Sequence, residues 1–169
     1  FSASDTADAD YRAKDVVDRG DQISFVASVR GNVLGPITLQ LPGNYNADNA
    51  IAAIAILHGA LELPFQQIQE GLRTYAGLEN RFTVKKAGGL TVVKDYISHP
   101  TGMRRVLESA RKMPHNRIWC VFKPYRFTLM HYHGPEYAEA FRGADEVVIT
   151  RMYAAEEKPI DGIDTPWFC

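Results

Sequence analysis

The stretch 91–101, with the sequence TVVKDYISHPT, decides how this chain is organised. Its first half is apolar and typical of a buried strand. Its second half is a polar cluster that turns at Pro100 into a predicted helix. A strand, a short polar loop and a helix N-terminus together make a place for an anion or a nucleotide. We therefore expect a ligand to lie against this segment.

Two further apolar runs, Ile118–Phe122 and Glu146–Ile149, also end in polar or aromatic loops. Helical patterns at Thr101–Lys112 and about Glu136–Phe141 separate them from each other and from the first predicted strand, Leu90–Asp95. Strand–helix alternation with short links predicts right-handed crossovers and a parallel sheet. The second half of the chain is therefore predicted to place three strand ends along one sheet edge.

The first half has a different pattern. Gln22–Arg30 and Pro36–Leu41 alternate apolar and polar residues, which predicts an antiparallel hairpin. Two helices are predicted to follow, over about Ala47–Leu61, with a wide apolar face, and over Pro64–Thr74. We place a domain boundary after Thr83, so the chain is predicted to be an α/β protein with domains at residues 1–83 and 84–169.

Composition limits the classes of function. The 169 residues are 46% hydrophobic and 23% charged, as in globular proteins, and the net charge of -1 argues against a nucleic-acid-binding surface. Cys120 and Cys169 cannot form a disulfide framework, which favours a reducing, cytoplasmic setting. No apolar run has the length of a membrane span, and no signal peptide is visible. Because the chain lacks an initial Met and ends abruptly at Trp167–Cys169, we expect it to be part of a longer protein.

The three predicted strand ends carry a carboxylate, an imidazole and several cations, a combination that suits phosphate or carboxylate recognition. The alternative is that these are solvated loop residues. His99 is open to three functions, as a general base, a phosphate donor or a neighbour of a helix cap, or it is a loop histidine bonded to its own backbone. The side chains concerned are Asp95, Tyr96, Ser98, His99, Lys123, Tyr125, Arg126, Thr128, Arg151, Met152 and Tyr153.

Other patterns are weaker. His131 and His133 form an i, i+2 pair without a third metal ligand nearby, so no metal site is predicted. Glu156–Glu157 is typical of a solvated charge run. Asn46 and Asn49 share a helix face and could bind an adenine edge, although the local pattern favours simple N-capping by Asn46 with Asn49 facing solvent. The chain contains no phosphate-binding loop of the form GxxxxGK[ST].

Five motifs in unbroken order resemble those of the Mur ligases, the ATP-dependent amide-bond ligases of peptidoglycan synthesis. The motifs are LPGNYNADNAIAA at 41–53, GLENRF at 77–82, DYISHPT at 95–101, FKPYRFT at 122–128 and YAAEEKPI at 153–160. Within the family, the resemblance is greatest to the enzymes that add L-alanine to UDP-N-acetylmuramate. Five positions in or beside these motifs differ from the family pattern, which leaves the identity of the amino acid open: Tyr45, Lys94, Ser98, Tyr125 and Leu129.

The resemblance implies that residues 1–83 end the central ATP-binding domain and residues 84–169 form part of the Rossmann-like C-terminal domain. In the family pattern the two asparagines hold adenine, Asp95 takes the ribose and Arg81 reaches the phosphates. The implied site residues are Asn46, Asn49, Arg81 and Asp95 for the cofactor, Tyr96, His99, Arg126 and Thr128 for the substrate, and His99 and Arg81 for catalysis.

The implied cofactors are ATP and Mg²⁺, with the magnesium ligands outside this chain. The implied partners are a UDP-N-acetylmuramate-type nucleotide sugar and an amino acid, with neither nucleic acid nor membrane. By resemblance, ATP activates the muramoyl carboxylate as an acyl phosphate, which the amino acid's amine attacks, while the isolated chain has no ligase activity. The alternative function is a nucleotide-binding or regulatory module, or a degenerate relative without turnover.

Overall fold

The computed structural model describes residues 8–169. The chain forms two compact units, one ending at Lys94 and the other spanning Asp95–Cys169. The hairpin between Thr83 and Lys94 belongs to the first unit, so the units divide later in the chain than the domain boundary predicted after residue 83. Among the described residues, no helix combines the length and apolar character that a membrane span requires.

The first unit contains a three-stranded antiparallel sheet in the order β1-β2-β3. The strands are β1 (Tyr11–Asp18), β2 (Ile23–Val29) and β3 (Asn32–Leu39). The predicted hairpin is confirmed, but β3 begins before Pro36 because the turn at Arg30 and Gly31, both with positive φ, brings Asn32 directly opposite Val29. Pro36 is tolerated within β3 because this is an edge strand.

Helix α1 (Tyr45–Ile54) continues as a π-helical segment at Ala55–Ala60, and α2 (Phe65–Thr74) follows. Both predicted helices are present. The α1 side chains Ile51 and Ile54 are fully buried and form one core with the sheet residues Ile23, Phe25, Ile37 and Leu39. Asn46 is not the N-cap, because the helix already begins at Tyr45 and the N-cap position is Asn44.

The strand β5 (Leu90–Lys94) is not part of a parallel sheet, contrary to the prediction. It pairs with β4 (Thr83–Ala87) in a two-stranded antiparallel hairpin. The reason is the two-residue turn Gly88–Gly89, in which both glycines have positive φ, as hairpin turns of this length require. The strand is also not buried: the side chains of Leu90 and Val92 are mostly exposed.

The second unit contains a two-stranded parallel sheet with β6 (Trp119–Phe122) and β7 (Glu146–Ile149) in register from Trp119↔Glu146 to Phe122↔Ile149. Its helices are α3 (Pro100–Lys112), α4 (Phe127–Ala140), followed by a 3₁₀ turn at Phe141–Gly143, and α5 (Thr165–Phe168). The parallel β6–α4–β7 crossover is confirmed. The expected alignment of three strand ends at one edge is wrong, because β5 lies outside this sheet.

Helix α4 starts well before the predicted residue 136. Gly134 and Pro135 are residue types that usually interrupt a helix, but both lie within α4. A side chain at Gly134 would place its Cβ 2.5 Å from the Trp167 ring, so the glycine allows α5 to pack against α4. In β6, Cys120 and Phe122 point into the core of the second unit, whereas Trp119 and Val121 are 61% and 68% exposed.

Candidate functional site

The first unit contains a cavity of about 580 Å³ at the end of β3 and between the helices. Apolar side chains form most of its wall, and the polar residues on it are Asn46, Asn49 and Gln67. Mostly apolar clefts of this size with a few polar groups are typical of small-molecule sites. The apolar lining consists of Leu39, Leu41, Ala50, Ala53, Leu57, Leu63, Ile68, Leu72 and Tyr75, with Gly71 completing it.

The two asparagines form a directional chain of hydrogen bonds. Asn46 Nδ2 donates to the carbonyl oxygen of Pro42 over 2.7 Å, and Asn49 Nδ2 donates to Asn46 Oδ1 over 3.2 Å. Because a carbonyl oxygen can only accept, the first contact fixes the orientation of the Asn46 amide, and the second then fixes that of Asn49. Asn49 therefore presents its Oδ1 as an acceptor, with a second N–H beside it.

Arg81 lies in the turn that leads into β4 and has an exposed side chain, while Phe82 beside it is buried. Asn80 and Phe82 on either side of it both have positive φ, and the Arg81 amide donates to the Leu78 carbonyl over 3.2 Å. These positive φ values turn the backbone immediately before the hairpin formed by β4 and β5. The predicted contact of Arg81 with phosphates stays a prediction.

In the second unit, Tyr96 is an exposed side chain whose ring meets that of Tyr125 edge-to-face, with centroids 6.1 Å apart. A hydrogen bond joins the two phenols. It raises the pKa of Tyr96 and, together with a hydrogen bond from Arg126, lowers the pKa of Tyr125. Tyr125 also stacks on Tyr153, over which Lys123 places its ammonium group at 4.6 Å from the ring centroid. This surface is therefore both aromatic and cationic.

Arg126 occupies the N-cap position of α4 with φ of 67°, and its guanidinium lies 5.4 Å from the Tyr125 ring centroid. Thr128, on the first turn of α4, donates twice to Glu157, from its amide over 3.0 Å and from its hydroxyl over 2.7 Å. These bonds hold the pKa of Glu157 below its usual range. The structure thus brings Tyr96, Arg126 and Thr128 together through Tyr125 and Glu157.

Glu157 departs from the solvated charge run predicted for Glu156–Glu157, because both of its carboxylate oxygens accept hydrogen bonds from Thr128. Its side chain is only 21% exposed, whereas the neighbouring Glu156 is an exposed residue. Tyr125 appeared among the strand-end residues but was not selected as a site residue. The motif at 153–160 that resembles the Mur ligases includes Glu157 and could have drawn attention to it. Nothing within that motif shows that the partner of Glu157 is Thr128.

His99 caps α3, because its Nδ1 accepts from the Thr101 amide over 3.2 Å. Its neutral form must therefore carry the proton on Nε2, which makes it a donor there. Its ring packs against His133, with centroids 4.6 Å apart, and His133 Nδ1 is 2.9 Å from a Glu136 carboxylate oxygen. Capping is the role of His99 that the structure shows, and the catalytic assignment stays a prediction.

Asp95 is half-buried at the start of the second unit, and its contact with a ribose also stays a prediction. Within residues 8–169, no three His, Cys, Asp or Glu side chains are grouped as metal ligands would be. Leu129, where the resembled pattern has an arginine, packs against the core of the second unit. A side chain at this position therefore contributes to packing.

Comparison with known proteins gives a consistent result. The family model described as "Mur ligase, glutamate ligase domain" matches residues 80–165. The chain is 41% identical over 155 residues to the UDP-N-acetylmuramate--L-alanine ligase of Anaeromyxobacter sp., covering 91% of this chain and 34% of that protein. The ligase of the same name from Pelobacter propionicus is 42% identical over 161 residues, covering 93% of this chain and 34% of its own length. The chain thus spans about a third of the length of the curated relatives it matches.

Solved structures agree with this similarity. The UDP-N-acetylmuramate-alanine ligase of Thermotoga maritima superposes with a TM-score of 0.72 at 26% identity, over 85% of this chain and 32% of that one. The folylpolyglutamate synthetase of Lactobacillus casei has a TM-score of 0.64 at 15% identity, over 90% of this chain and 37% of that one. The second likeness concerns the fold alone.

Proposed function

The chain belongs to the Mur ligase family, and from this premise we propose that it is part of an ATP-dependent ligase that joins an amino acid to UDP-N-acetylmuramate in peptidoglycan synthesis. The amino acid proposed is L-alanine, which the names of the relatives at about 40% identity support. A cytoplasmic location is proposed with it, because ATP and the nucleotide sugar would be used there.

The observation that carries this proposal is the first-unit cavity with its oriented amides. An adenine ring would lie between the apolar walls, and Asn49 would face its edge. Asn49 Oδ1 would accept from the exocyclic amine, while its remaining N–H would donate to a ring nitrogen, the pairing by which asparagine selects adenine. A guanine carbonyl would face an acceptor instead, so ATP is favoured over GTP.

The second unit supplies groups for the incoming amino acid. Arg126 has a side chain that is 51% exposed and can offer guanidinium N–H groups to a carboxylate, while Tyr96 provides an adjoining aromatic wall. His99 would act as a hydrogen-bond donor through Nε2 while its Nδ1 caps α3. Asp95 is proposed to bind the ribose and Arg81 the phosphates.

When bound, ATP supplies the phosphoryl group that activates the muramoyl carboxylate as an acyl phosphate, and the amine then displaces phosphate. The contribution of this chain is to hold the base, the ribose and the amino acid in position and to stabilise charge. Mg²⁺ ligands and the phosphate-binding loop are proposed to lie in other parts of the ligase. The isolated chain is therefore expected to show no ligation.

The alternative, a nucleotide-binding module or degenerate relative without turnover, makes the opposite prediction for the rest of the protein. A phosphate-binding loop with an intact Gly-Lys-Thr/Ser sequence favours the ligase, and its absence favours the alternative. The names of the relatives support the ligase.

Calorimetric titration with ATP tests the adenine pocket in the complete ligase. Asn49→Ala should weaken ATP binding about tenfold or more, the loss expected for one bidentate base contact. Asn44→Ala is the matched control, because Asn44 makes no side-chain capping bond. Asp95→Ala should also weaken ATP binding. Unchanged affinity in Asn49→Ala, or equal affinity of the wild type for GTP, would remove the support that the cavity gives to this function.

A further inference from the structure

The segment after Tyr153 forms an unusual turn. Ala155 and Glu156 have φ of 49° and 69°, and the Glu157 amide donates to the Ala154 carbonyl over 3.0 Å. Two successive positive φ values at the centre of a turn are typical of glycine, asparagine or aspartate, and they strain alanine and glutamate. Such strain persists only where surrounding contacts hold it. Glu157, which ends this turn, is bound through its carboxylate to Thr128.

Both oxygens of that carboxylate are engaged at the start of α4. One accepts from the Thr128 amide and the other from the Thr128 hydroxyl, so the two donors that Thr128 could offer a ligand carboxylate are already used. An anionic group is favourable at this place, because the first turn of a helix has unsatisfied N–H groups and a positive partial charge. The chain thus places its own carboxylate there.

Arg126 is held in the same cluster. Its left-handed backbone is fixed by the bond from its amide to the Tyr153 carbonyl, 2.9 Å long, and its Nη1 lies 3.9 Å from Glu157 Oε1. The backbone of Tyr153 bonds in turn to the Pro124 carbonyl over 2.9 Å. The strained turn, the helix start and the arginine therefore depend on one another.

We infer that Glu157 is a positioning residue of the amino-acid site: it fills the N-terminus of α4, so the substrate carboxylate is received by Arg126 and not by Thr128. This inference rests on the proposed ligase function. It also replaces the direct substrate contact expected of Thr128 by an indirect one, in which Thr128 anchors Glu157 and Glu157 orients Arg126.

A double-mutant cycle in the complete ligase separates the two roles of Thr128. Glu157→Gln keeps the shape but removes the charge, and Thr128→Val removes the hydroxyl. Each should raise KM for the amino acid about three- to tenfold, as loss of a charge-assisted contact does, with kcat and the KM for ATP within about twofold of wild type. The double variant should be no worse than the more impaired single variant, because both changes break one contact.

If the KM of the double variant rises by the product of the two single-variant increases, Thr128 binds the substrate directly, and the inference is overturned. An unchanged KM in Glu157→Gln would show that Glu157 does not position Arg126, and would overturn it as well. Glu156→Gln is the matched control, and an equal rise in its KM would overturn it too. A wild-type ligase without amide formation would refute the proposed function itself, which is a distinguishable failure.

The contact can be checked apart from activity in the 169-residue chain. The Thr128 amide resonance should shift as Glu157 titrates, at a pH below the ordinary range for glutamate, and Glu157→Gln should abolish that shift. Glu156→Gln should leave it intact. If the pH-dependent shift of the Thr128 amide resonance is the same in Glu157→Gln as in the wild type, the Glu157 carboxylate does not fill the N-terminus of α4.

Discussion

The two units of this chain prepare for ligands in different ways. In the first, the end of β3 and two helices line an open, mostly apolar cavity, and two of the polar groups on it, Asn46 and Asn49, are oriented by the buried Pro42 carbonyl. In the second, the polar groups lie on the surface where β6 ends, held by Glu157 and by a strained turn. Under the proposed function, a flat aromatic base would therefore be held mainly by apolar packing, whereas a small charged amino acid would be held by hydrogen-bonded loops.

The largest expected effect comes from shortening a side chain that is buried in the first unit, compared with shortening one that is exposed in the second. Ile51→Ala, at a fully buried position in the first unit, should lower the free energy of unfolding by about 2 to 5 kcal/mol. Val121→Ala in a strand of the second unit should cost less than about 0.5 kcal/mol, since its side chain is mostly exposed. Urea unfolding measures both.

Ile56→Ala is the matched control for Ile51→Ala, because Ile56 follows on the same helical stretch but is exposed. It should resemble Val121→Ala. A cost for Val121→Ala as large as that for Ile51→Ala would mean that the outer face of β6 is covered, and the comparison between the units would fail.

Reaction with a thiol reagent at pH 8 tests how closed the core of the second unit is. Burial raises the pKa of Cys120 to about 11, and its Sγ lies 3.9 Å from the Met103 sulfur. The exposed Cys169 should therefore react at least about 100-fold faster, because only the thiolate is nucleophilic. Mass spectrometry after timed labelling gives both rates. Similar rates would show that the second core opens freely.

The smallest expected effect is a loss of stability in acid, which depends on hydrogen bonds at the surface of the second unit. Asp145 accepts from the Ile118 amide over 2.7 Å and from Arg111 over 3.2 Å, which lowers its pKa. Its contribution is present above the pKa of the unfolded chain, about 3.9, and disappears as the pH falls through the lower pKa of the folded state. The Tm difference between the wild type and Asp145→Asn should therefore shrink between pH 7 and pH 2.

Asp161→Asn, at an exposed position, is the control for that measurement and should show no such convergence. A Tm difference for Asp145→Asn that stays constant down to pH 2 would show that the Asp145 carboxylate is not held by Ile118 and Arg111.

Local patterns predicted the elements that local forces determine. Alternation identified β2 and the later part of β3, and the apolar faces identified α1 and α2. The hairpin β4–β5 was missed because its signal is only the pair Gly88–Gly89, whereas the apolar run of β5 resembles a buried strand. The early start of α4 was missed because Gly134 serves a contact with Trp167, which is distant in sequence.

Contacts among the candidate site residues followed the same division. The shared face of Asn46 and Asn49 was predicted correctly because their i, i+3 spacing is local, although the prediction that Asn46 caps the helix was wrong. Glu157 was dismissed because its partner Thr128 lies 29 residues away and no nearby pattern announces the pairing. Contacts between distant loops depend on the finished fold, which propensity and periodicity do not specify.

ATP-dependent amide formation is the most direct test of the central claim. The complete ligase would be incubated with ATP, UDP-N-acetylmuramate and L-alanine, and the product followed by mass spectrometry. We predict product with the wild type, a loss of about tenfold or more in kcat/KM for ATP with Asn49→Ala, and none with the 169-residue chain alone. Absence of product with the complete wild-type protein, or wild-type kcat/KM with Asn49→Ala, would contradict this account.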